Sequence, residues 1–81
     1  MIQSNKALYQ EINSIINALK ASGDIQFAKK LSNALSISTI PSEILGESRL
    51  ALEELSKTDL PKKLNIESKV SETLNYLNTI L

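Results

Sequence analysis

Leucine and isoleucine recur at helical spacing from residue 8 to residue 81, and that recurrence decides most of what the chain can fold into. Leu8, Ile12, Ile15, Ile16 and Leu19 follow the i, i+4, i+7, i+8, i+11 series. At 100° per residue they form one stripe, with Lys6, Gln10, Asn13, Ser14 and Asn17 on the other side. The first helix is therefore expected over about residues 3–21. Gly23 supplies the left-handed residue that helices favour just past their end, and Asp24 can cap the next helix.

The second helix is expected over about 25–36, with Phe27, Leu31, Ala34 and Leu35 as its stripe and Ala28 beside it. Ile25 and Ile37 fall off that stripe, and residues so placed tend to pack beneath adjoining loops. The run from Ser38 to Ser42 breaks the pattern. Pro41 is suited to a first helical turn, with Ser38 or Thr39 as cap. A third helix over about 41–56 aligns Ile44, Leu45, Ala51, Leu52 and Leu55. Gly46 inside it costs up to ~1 kcal/mol relative to alanine, and close approach of a neighbouring helix is one reason for a glycine there. The fourth helix carries Ile66, Val70, Thr73, Leu74, Leu77 and Leu81. Leu60 and Leu64 do not join that stripe. Either a separate turn spans Leu60–Leu64 and the main helix starts near Asn65 as its cap, or one helix runs unbroken from Pro61. Short connections make successive helices antiparallel. The expected fold is all-α: a single domain over residues 1–81, built as a small antiparallel four-helix bundle.

Composition narrows the chemistry. The chain has no histidine and no cysteine, which removes the commonest general base, metal ligand and thiolate nucleophile. Ser56–Lys57 and Ser68–Lys69 are sequence neighbours, but neighbours in a helix point about 100° apart and cannot form a dyad with each other. No enzymatic activity, metal or cofactor is expected. Nine basic residues balance nine acidic ones, so no excess of positive charge draws the chain to nucleic acid or to an anionic membrane, and neutrality permits self-association. A helix-turn-helix could be forced across residues 28–52, but Glu43, Glu47, Glu53 and Glu54 on its recognition helix would repel phosphates. The polar face of the first helix is Asn, Ser and Gln rather than Lys, unlike a membrane-surface helix. No secretory leader is read at the N-terminus, and no apolar run approaches the ~18 residues of a membrane span. A cytoplasmic location is expected.

What remains is surface. Glu43, Glu47, Leu50 and Glu54 share one face of the third helix, opposite its apolar stripe. Such a face is solvated in most bundles; its sharper reading is an acidic docking patch for a basic partner, with Leu50 the lone apolar residue among the charges. Tyr76, at the edge of its stripe, is a second candidate contact, because tyrosine offers area and a hydroxyl at low entropic cost. Ser48, Thr73 and Asn5 are the polar residues expected to intrude on the aliphatic interior. The expected function is non-catalytic: a helical protein–protein interaction or inhibitor module that binds another protein or itself. A small regulatory nucleic-acid binder is the alternative. In size, charge and helical content the chain is similar to bacteriocin immunity proteins and phage-borne inhibitors, a likeness of architecture with no shared motif, and architecture does not specify function.

Overall fold

The computed structural model describes Ile2 and residues 4–81. They form five helices: α1 (Asn5–Ala21), α2 (Ile25–Ser36), α3 (Pro41–Ser56), a single turn α4 (Leu60–Lys63) and α5 (Glu67–Ile80). The four long helices close a ring. α1 packs on α2 and α5, α3 packs on the same two, and α4 is wedged between α3 and α5. Side-chain links give the directions. Lys69 of α5 reaches Glu11 and Ser14 of α1, while Tyr76, two turns further on, reaches back to Asn5, so α1 and α5 are antiparallel.

The stripes read from the sequence point inward. Leu8, Ile12, Ile15 and Leu19 of α1, Leu31 of α2, Leu52 and Leu55 of α3 and Leu77 of α5 are wholly withdrawn from solvent. Each contributes roughly 1.5–3 kcal/mol on burial. Ile66 and Val70 complete this core, while Phe27, Leu35, Leu60, Leu64 and Leu74 pack against its margin. Two residues depart from this: Ile44, expected on the α3 stripe, is only partly buried, and Leu81, expected on the α5 stripe, lies just past the helix end and is exposed. Among the described residues no helix is long and apolar enough to cross a membrane.

The helices end where the sequence places them, and Gly23 takes the expected left-handed conformation, but the capping bonds differ. The expected start at Gln3 lies outside the described residues. Ser4 caps α1, its Oγ accepting a hydrogen bond from the Ala7 amide at 3.1 Å. α1 then ends in a Schellman arrangement. The Gly23 amide donates to the Lys20 carbonyl, the Asp24 amide donates to the Leu19 carbonyl, and Gly23 sits at φ +87°. Asp24 occupies the cap position of α2 but makes no side-chain bond to that helix; its carboxylate accepts from the Ser22 hydroxyl at 2.6 Å instead. Gly23→Ala should lose about 1 kcal/mol. A Cβ there meets no atom within 4 Å, so the loss measures the backbone conformation alone, and urea denaturation would read it.

The cap of α3 is Ile40, not Ser38 or Thr39. Ser38 serves one step earlier, its Oγ accepting from the Ile40 amide at 3.0 Å. Pro41 occupies the first turn, where its missing N–H removes one donor that would otherwise be left unpaired. The helix does break at Leu60–Leu64, but Asn65 does not cap α5. It ends α4. Asn65 stands at φ +58°, its amide donates to Lys62, and the Ile66 amide donates to Pro61, repeating the turn at Gly23. Asparagine tolerates this conformation better than other non-glycine residues. Ile66, the residue that precedes α5, then turns into the core.

Three further expectations change. Ile25 and Ile37 do not tuck beneath loops; both are exposed. Asn5 lies at the surface, whereas Ser48 and Thr73 are fully buried. Gly46 is not crowded: a Cβ built on it meets nothing within 4 Å, so no neighbouring helix requires a glycine there.

Candidate functional site: the α2–α3 face

Packing α2 against α3 leaves two parallel ridges on the outer surface. Lys30, Asn33 and Ala34 stand on α2 and Ile37 is the residue that caps its C-terminal end, spaced i, i+3, i+4, i+7. Glu47, Leu50, Ala51 and Glu54 stand on α3 with the same spacing. That spacing keeps four side chains on one side of a helix. Between the ridges runs an open groove of about 300 Å³. Its floor is Ala34 and Ala51, both buried, whose small side chains let the helices approach and leave the channel above them.

The two ends of the groove differ. At one end Lys30 of α2 pairs with Glu54 of α3, and the Lys30 ammonium also lies 5.9 Å from the Phe27 ring centre. Both partners of this pair are about half exposed, so it adds little to stability. At the other end stand Ile37 and Leu50, 59% and 51% exposed, and the groove continues over Gly46 toward Glu43. Ile40, in the loop between the helices, is exposed to a similar degree. Among the described residues six large aliphatic side chains are exposed, and two of them, Ile37 and Leu50, border this groove.

Charge is distributed unevenly over the face. Lys30 has Glu54, and Arg49 has Glu53, its Nε 3.6 Å from that carboxylate. Glu43 and Glu47 are exposed and have no ion-pair partner among the described residues. Glu43 lies in the first turn of α3, where a carboxylate complements the helix dipole. Glu47, a turn further on, has no such role within the fold.

Glu47, Leu50 and Glu54, named from the sequence, therefore border one groove, with Glu43 at its extension. Tyr76 does not join them. It borders a separate hollow with Ile2, Glu72, Asn75 and Thr79, and its hydroxyl is 3.4 Å from the Asn5 side-chain oxygen. What sequence reasoning missed is the α2 half of the surface: Lys30, Ala34 and Ile37. The signal was available in Ile37, an isoleucine off the apolar stripe that shares a ridge spacing with Ala34 and Lys30.

The Ser–Lys neighbours are engaged elsewhere. Lys69, next to Ser68 in the chain, is engaged by Ser14 and Glu11 across the bundle, and Ser56 donates to the Glu53 carbonyl. A larger hollow of about 460 Å³ beside α4 is rimmed by Ser56, Asp59, Lys62, Glu67 and Asn78 without convergence on a point. Among the described residues no group of three carboxylates gathers as a cation site would require.

Comparison with known proteins finds nothing to set beside this face. No family model, curated protein or solved structure matches the chain.

Proposed function

We propose that the protein is a non-catalytic interaction module of the cytoplasm that docks another protein on the α2–α3 face. One observation carries the reading: Ile37 and Leu50, each more than half exposed, flank a groove that opens between two helical ridges. Interfaces are built in this way, with an apolar centre and a polar rim. The rim here is Lys30, Asn33, Glu47 and Glu54. Inhibitors and adaptors of this size act by occupying a surface, and an aliphatic bundle with a charged exterior is suited to that.

A photo-crosslinking amino acid placed at Leu50 should give discrete adducts in cells that naturally produce the protein. The same group at Asn13, exposed on α1, should give none, and Ile37→Asp should abolish the Leu50 adducts. Equal adducts from both positions, or none from position 50, would remove the α2–α3 face as the contact.

A further inference from the structure

The groove's uncompensated charge points to the kind of partner it takes. Building on the docking role proposed above, we infer that the occupant is an amphipathic helix carrying lysine or arginine beside its apolar stripe, seated so that its cations reach Glu47.

From Glu54 to Glu43 the α3 side of the channel extends eleven residues, about 16 Å along the helix axis. Two helical ridges separated by a floor of alanines form the kind of trough into which a third helix lays its own ridge. About three turns of a partner helix would fill it, with apolar side chains against Ile37 and Leu50.

Charge then selects among helices. The two cations bordering the channel, Lys30 and Arg49, each face a carboxylate of their own. Glu47 is left over, next to the most exposed apolar pair and opposite the end closed by Lys30 and Glu54. A cationic side chain is what it lacks. A second copy of this chain is a poorer occupant. A two-fold pair sets the face against its own image, so the surplus carboxylates of both copies would crowd one interface.

Gly46 supplies an independent argument. It lies inside α3, where glycine is unfavourable, yet no atom of the fold needs the space its missing side chain leaves. That space opens onto the groove's extension between Glu43, Glu47 and Leu50. Glycine in such a place lets another chain come close.

The test uses three helix-stabilised peptides of about 18 residues, long enough to hold helix once stabilised. One carries a leucine stripe flanked by lysines, one the same stripe flanked by glutamates, and one a scrambled lysine version without a stripe. Binding is measured by titration calorimetry and by amide NMR shifts. The lysine peptide should shift Ile37, Gly46 and Leu50 and weaken as salt rises. The glutamate peptide should bind about tenfold more weakly, and the scrambled one should leave those residues unmoved. Glu47→Lys should invert the preference between the two striped peptides, and Gly46→Leu should block both while the circular-dichroism spectrum stays helical. Equal binding of the two striped peptides, unchanged in Glu47→Lys, would overturn the charge assignment and leave the docking face standing. Concentration-dependent self-association that shifts the same three residues would make a second copy the occupant and overturn the inference. Shifts confined to other surfaces would overturn both this inference and the docking role.

Discussion

Leu52→Ala should remove about 3–5 kcal/mol of stability, while Leu50→Ala, two residues away on the same helix, should change it by less than about 0.5 kcal/mol. Leu52 is wholly buried in the common core, and Leu50 stands half in water at the groove. Truncating Leu52 forfeits the transfer of its side chain and leaves a cavity that the surrounding helices fill only in part. Truncating Leu50 removes atoms that water already reaches, and alanine is the slightly better helix former. An 81-residue domain has a total stability of roughly 4–12 kcal/mol at the usual value per residue, so the first change takes a large share of it. Urea denaturation monitored at the helical circular-dichroism band measures both. Similar midpoints for the two variants would mean that the inward face of α3 has been misassigned, and with it the groove.

The contrast between these leucines also explains how far the sequence can be read. The stripes are plain because burial imposes a period of 3.6 on long runs, and every helix here except α4 runs twelve residues or more. The ends are not plain. Ser38, Asp24 and Asn65 are all residues that favour caps and turns, and each sits at a helix boundary. Yet each satisfies a different backbone or side-chain group from the one its position suggests. Ser38 serves the Ile40 amide, Asp24 the Ser22 hydroxyl, and Asn65 ends the preceding helix rather than starting the next. Which partner wins depends on one or two dihedral angles, and composition does not encode those.

The candidate face is half readable for the same reason. Glu43, Glu47, Leu50 and Glu54 lie on one helix, so their common direction comes from spacing alone. Lys30, Ala34 and Ile37 belong to another helix, and only the packing of α2 on α3 brings the two rows into register. Residue type, rather than position, is all that groups Tyr76 with the α3 residues, and the fold places it in a separate hollow.

Gly46→Ala combined with Ser48→Ala should raise stability by about 2 kcal/mol, roughly 8–16 °C in Tm for a domain of this size. Ser48 is fully buried and its hydroxyl has no hydrogen-bond partner among the described residues. Thr73, equally buried, donates to the Lys69 carbonyl at 2.6 Å and so avoids that penalty. Removing the Ser48 hydroxyl relieves an unpaired buried group worth about 1–3 kcal/mol and improves helix propensity as well. Gly46→Ala gains up to about 1 kcal/mol with no steric penalty, since a Cβ there touches nothing. Positions two apart on a helix face different ways, so the gains should add to within about 0.5 kcal/mol. Thr73→Ala is the opposing control: it loses a buried methyl and a satisfied hydroxyl and should unfold earlier. Calorimetry of the single and double variants separates the terms. An unchanged Tm in Ser48→Ala would mean that the hydroxyl finds a carbonyl in its own helix by rotation. The two sites also differ in what stability should cost elsewhere. Ser48 faces the core, so its replacement should leave docking untouched, whereas even one methyl group on Gly46 narrows the groove and should weaken the lysine-flanked helix while the fold itself grows firmer.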